Sequence, residues 1–209
     1  MRQVWLAVGL VILGAVWLGP LPRLAPQSFA AHMTMHMGVV AVAAPLLALG
    51  LAGGRADPVR LAPRIFPPIP VSILEFVVIW AWHMPALHHA ARHSAVGLAA
   101  EQGSFLIAGV LLWLAAFGGG VEFQANRRGA GVIALLLTSM HMTLLGALLA
   151  LAPRPLYAHQ GLGALAALEN QHLGGAIMLL VGGVSYLVGG LWLMKGLLER
   201  RALRPGEPA

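Results

Sequence analysis

The segment His32-Met33-Thr34-Met35-His36-Met37 gathers two imidazoles and three thioethers with no charged residue between them. In a helix His32 and His36 stand one turn apart on a common face, and Met33 and Met37 form a second such pair on an adjacent face. Two imidazoles so placed can hold one metal ion or turn toward one. Thioether suits Cu(I), and imidazole suits copper in either oxidation state, so a His/Met set points to copper ahead of zinc or iron. The chain has no cysteine. Disulfides, thiolate shuttling, iron–sulfur ligation and haem attachment through Cys-x-x-Cys-His are therefore excluded.

Similar residues recur at His83-Met84, at Met140-His141-Met142 and at His172, with His88, His89, His93 and His159 between them. Methionine in an apolar helix most often only packs. An ionisable side chain inside a membrane span is a functional candidate, because leaving it unpaired in lipid is costly. His141 is the deepest of the set. His88, His89, His93 and His159 are expected in outer loops and mostly solvated. Glu75 is expected near the inner end of its span, reaching for the interface. Glu101 and Gln171 stand at helix starts, where they can cap the helix or orient a ligating imidazole through a hydrogen bond.

The elements that must carry these residues follow from composition. Of 209 residues 59% are hydrophobic and 10% charged, where an ordinary soluble domain carries about 25% charged residues. Mean hydropathy is +0.81, which makes lipid the natural solvent. Apolar runs at 4–19, 30–52, 71–91, 98–117, 130–152 and 173–193 predict an all-α bundle of six transmembrane helices forming a single domain. The first run lacks a small-x-small cleavage site beside it and is expected to be retained. Paired glycines at Gly174-Gly175, Gly182-Gly183 and Gly189-Gly190 are expected to let helices pack closely.

Charge sets the orientation. With the N-terminus inside, the inner segments hold Arg2, Arg55, Arg60, Arg64, Arg127, Arg128, Lys195, Arg200, Arg201 and Arg204, against Arg23, Arg92 and Arg154 outside. This bias predicts both termini in the cytoplasm. All nine histidines then fall at mid-depth or toward the outer face. Basic residues in loop singlets and pairs are a topology signal and argue against nucleic-acid binding.

Four stretches resemble one family. His32-Met33 and His36-Met37 leading to Pro45 and Leu46-Leu47-Ala48-Leu49-Gly50 are similar to the signature of the multi-span CtaG family of cytochrome c oxidase assembly factors. Trp82-His83-Met84-Pro85-Ala86-Leu87 resembles its Trp-His-x-Pro segment. His141-Met142, Leu145-Gly146 and Ala152-Pro153-Arg154-Pro155-Leu156-Tyr157 resemble its fifth-helix block, and Gln171-His172-Leu173-Gly174-Gly175-Ala176-Ile177-Met178 its Asp-Gln-x-Leu-Gly-Gly-x-x-Met block. Asn170, Leu179 and Val181 depart from the family's usual Asp, Trp and Pro.

The resemblance implies a role in maturing haem–copper oxidases in the bacterial cytoplasmic membrane, with oxidase subunits as partners. It agrees with the spacing in pointing to copper on the outer side. The leading expectation is a non-catalytic assembly factor that binds copper through His32, His36, His83, His141 and His172, with Met33, Met37 and Met142 as softer ligands. Glu101 and Gln171 would support the imidazoles. One alternative is a membrane redox protein in which a pair such as His83 and His141 ligates haem b. Another is a transporter moving copper or protons through the bundle. Nothing in the sequence resembles a nucleophile–base triad, a phosphate loop or a paired-carboxylate site.

Overall fold

The computed structural model describes residues 1–118, 124–157 and 163–202. Among these residues the regular structure is helical throughout: α1 (Arg2–Leu18), α2 (Leu21–Leu24), α3 (Phe29–Met37), a π-helical stretch π1 (Gly38–Ala43), α4 (Ala44–Leu51), α5 (Pro58–Leu61), α6 (Pro68–His83), α7 (Pro85–Arg92), α8 (Ala95–Phe117), α9 (Gln124–Ala150), α10 (Ala164–Ile177), π2 (Met178–Gly182) and α11 (Gly183–Ala202). Among the described residues five segments are long and apolar enough to cross a membrane, and the bent pair α6–α7 makes a sixth if counted as one span.

The span Phe29–Leu51 is the most buried of these and forms the axis of the bundle. Against it pack α1 and α8 on the α4 side and α10 on the α3 side. Helix α6 lies against α8 and α9, and α9 in turn holds α10 and α11. The start of α3 is fixed twice. Ser28 Oγ accepts from the Ala31 amide, and Asn170 Oδ1 on α10 accepts from the Ala30 amide at 3.0 Å. These bonds satisfy amides that a helix N-terminus leaves without internal partners.

Both π stretches interrupt spans that face each other across the core. A π turn widens the helix and releases carbonyls from the regular ladder. Trp113 Nε1 donates to the Val40 carbonyl at 3.1 Å, and Ser185 Oγ to that of Ala41 at 2.6 Å. Elsewhere close backbone approach depends on glycine. A Cβ placed on Gly175 would lie 2.7 Å from the Gly146 carbonyl oxygen, so α9 and α10 cross there in near backbone contact. Gly182 and Gly189 likewise face protein neighbours, whereas a Cβ on Gly183 or Gly190 would meet nothing within 4 Å. One member of each of these two pairs therefore packs and the other does not.

The expected span 71–91 is not one straight helix. It bends by 72° between His83 and Pro85. The proline ring disfavours the α conformation in the residue before it, and Met84 accordingly sits extended at φ −66°, ψ 133°. Beyond the bend α7 is amphipathic and lies against the start of α8. Glu75, expected near the inner interface, is instead fully buried, because α6 already begins at Pro68 and places it two turns inside the helix.

Candidate metal centre

Four imidazoles converge where three helices meet. His32 and His36 come from successive turns of α3, with near-parallel rings whose centroids are 6.4 Å apart. His83 arrives from the last turn of α6, 5.2 Å from the His36 ring. His88 lies one turn into α7, with its ring edge-on to His32 at 4.8 Å. All four are buried. Glu101, in the second turn of α8, completes a group in which donor atoms of His32, His88 and Glu101 all lie within 4.8 Å of one another.

Hydrogen bonding fixes what these rings can offer. His83 Nδ1 donates to the Ile79 carbonyl at 2.6 Å, the bond that commonly sets the tautomer of a metal-ligating imidazole. Its Nε2 then presents a lone pair inward. That nitrogen, His32 Nε2 and both nitrogens of His36 are buried and find no hydrogen-bond partner among the described residues. The walls are apolar. Phe105 stands 4.2 Å from His36, and Phe29 stacks on Tyr157 at 4.6 Å. Tyr157 also lies over His88 and donates its hydroxyl to the His83 carbonyl at 2.6 Å. Burial pushes the Tyr157 phenol up from its ordinary value and keeps it a neutral donor.

Arg92, at the end of α7, enters the cluster from its edge. Its Nη1 donates to His32 Nδ1 at 2.9 Å and its Nη2 pairs with Glu101 Oε2. Gln102 Nε2 donates to the same carboxylate oxygen at 3.2 Å.

The other expected site residues lie elsewhere. His141 on α9 sits beside Glu75, with Nε2 and Oε2 3.4 Å apart and Phe76 edge-on to its ring. Tyr186 donates to the second Glu75 oxygen at 3.0 Å. Met33 packs on Gly174, while the Met37 sulfur and the Met142 Cβ both approach Gly182 in π2. These three methionines are fully buried. His172 is half-buried and its Nε2 pairs with the Ala152 carbonyl at 2.9 Å. Gln171 bridges the Leu156 amide and the Leu149 carbonyl, so it ties the α9–α10 connection together and does not orient a cluster imidazole.

His88 corrects the expectation of a solvated loop residue. The Pro85 bend folds α7 back and aims this ring inward, while His89 and His93 both remain exposed, with rings 4.2 Å apart. His159 lies outside the described residues. Arg92, which the sequence marks only as an outer basic charge, is part of the site. Its spacing of four from His88 on an amphipathic helix is the signal that both face the same way.

A family model described as cytochrome c oxidase caa3 assembly factor (Caa3_CtaG) matches residues 1–200. No curated protein and no solved structure matches the chain. With nearly the whole chain covered by that match, and with the multi-span helical architecture the resemblance implied, this protein belongs to the cytochrome c oxidase caa3 assembly factor family.

Proposed function

We propose that this assembly factor takes up copper in the His32–His36–His83–His88 cluster and passes it to a subunit of the oxidase. The carrying observation is the set of buried imidazole nitrogens without hydrogen-bond partners, contributed by α3 and α6 to one buried cluster. Buried polar atoms are costly unless paired, and a metal ion supplies the missing partner to several of them at once. Neutral imidazoles without thiolate suit copper, and ligation by imidazole alone leaves the ion labile enough to be handed on.

The basic-residue bias supports an outer-side position for this end of the bundle in a bacterial cytoplasmic membrane, where copper would be received. The role is non-catalytic: copper is cargo, and the residues bind, shield and release it. The crowding of His36, His83 and Phe105 favours a small ion over the flat slot that a bis-histidine haem requires.

The test is Cu(I) stoichiometry in detergent-purified full-length protein. The double variant His36→Ala/His83→Ala should lose its stoichiometric copper while keeping its helicity. His172→Ala, which alters a histidine outside the cluster, should keep it. Copper retained by the folded double variant would overturn the assignment.

A further inference from the structure

The three-donor group formed by His32, His88 and Glu101 already has a cation against it. The Arg92 guanidinium bonds to two of its members, His32 Nδ1 and Glu101 Oε2, and the Arg92 side chain is only 6% exposed. We propose that Arg92 is an exchangeable counter-ion: copper enters as Cu(I) when the guanidinium withdraws, and leaves when it returns. This rests on the copper reading of the cluster and specifies how the ion is admitted and which charge it carries.

Charge supports the exchange. With Arg92 in place, the Glu101 carboxylate and the guanidinium cancel in a chamber of low dielectric. Adding a metal ion on top of that pair would bury a net positive charge, which is strongly disfavoured. Replacing one monovalent cation by another leaves the local charge unchanged. A divalent ion would leave an excess of one, so the site selects Cu(I).

The imidazole chemistry points the same way. An N–H of Arg92 donates to His32 Nδ1, so that nitrogen accepts, and the neutral ring carries its proton on Nε2. In that tautomer Nε2 cannot ligate. When the guanidinium leaves, the proton moves to Nδ1, on the side where Glu101 Oε2 lies 3.8 Å away, and Nε2 is freed for copper. The proton stays on the ring, and no other group changes protonation. The guanidinium also has room to withdraw. A surface cavity of about 270 Å³ lined by Pro26, Ala91, His93, Ser94, Ala95 and Leu98 opens beside Arg92.

The experiment is Cu(I) affinity, by competition with a chromogenic chelator, in full-length protein with the variants Arg92→Met, Arg92→Lys and Arg92→Met/Glu101→Gln. Arg92→Met removes the competitor and leaves Glu101 to attract the ion, so its affinity should rise by about tenfold or more. Arg92→Lys restores a competing cation and should return affinity toward wild type. The neutral double variant, checked for retained helicity, removes both charges and should lose the gain. A folded Arg92→Met protein whose affinity is unchanged or weaker, beside a wild type that binds, overturns the exchange alone. Wild type and Arg92→Met both failing to take up Cu(I) overturns the copper reading and the exchange with it.

Discussion

His88 stands edge-on to His32, ring centroids 4.8 Å apart, although the 72° bend at Pro85 and a change of helix separate them in the chain. The contact exists because the bend turns α7 so that His88 and Arg92 reach the α3 side chains Phe29 and His32. Its consequence is that a residue next to two outward-facing histidine positions is itself interior. His88→Ala should lower Cu(I) affinity by about tenfold or more, since even the loss of a group that only orients a ligand costs about that much. His89→Ala and His93→Ala should leave it unchanged. Chelator competition on the three variants separates these outcomes, and equal losses in all three would contradict the placement of His88.

Tyr157 closes the chamber through one hydroxyl bond and one ring stack. Tyr157→Phe keeps the stack and removes the bond, at a cost of about 0.5–1.5 kcal/mol in detergent unfolding. A pH dependence follows. Burial raises the folded-state phenol pKa above its unfolded value, so the hydroxyl's contribution is complete below about pH 10. It is lost as pH climbs toward the folded value, because the unfolded chain ionises first. The gap in stability between wild type and Tyr157→Phe should therefore shrink above about pH 10, and a gap that widens there would be inconsistent with the buried hydroxyl.

Glu75 is held by Tyr186 and flanked by His141 in the middle of the bundle. Glu75→Gln retains an acceptor for the Tyr186 hydroxyl and should be mild. Glu75→Ala strands that hydroxyl in an apolar interior and should destabilise by about 1–3 kcal/mol more. Thermal unfolding of the two variants distinguishes a hydrogen-bonding requirement from mere side-chain volume.

The α9–α10 crossing should tolerate no side chain. Gly175→Ala places a methyl 2.5 Å from the Ala150 amide nitrogen, and overpacking of this kind costs about 1–3 kcal/mol. Gly183→Ala and Gly190→Ala meet open space and should be neutral or slightly stabilising, since alanine favours helix. Melting temperatures of the three variants give the comparison directly.

Much of this arrangement was legible in the sequence. Hydropathy marks the apolar runs, and the four-residue spacing of His32 and His36 marks their shared face. Glu101 is marked by the sequence as lying on the histidine-rich side; it stands in the second turn of α8, 3.8 Å from His32. What spacing could not supply is how helices meet. His83, His141 and His172 are all histidines that the sequence puts at mid-depth or toward the outer face, yet His141 lies beside a carboxylate and His172 bonds a carbonyl, because inter-helix packing decides their neighbours. His88 and Arg92 were hidden by a different cause. The apolar run continues through Pro85, and the turn that directs both side chains inward comes from the backbone restriction proline imposes on Met84.

X-ray absorption at the copper edge, on anaerobically Cu(I)-loaded full-length protein, tests the cluster most directly. A coordination shell dominated by imidazole nitrogen, lost together with the copper in His36→Ala/His83→Ala, is the expected result. A sulfur-dominated shell that survives in that variant would contradict it and move the ion to the methionines around Gly182.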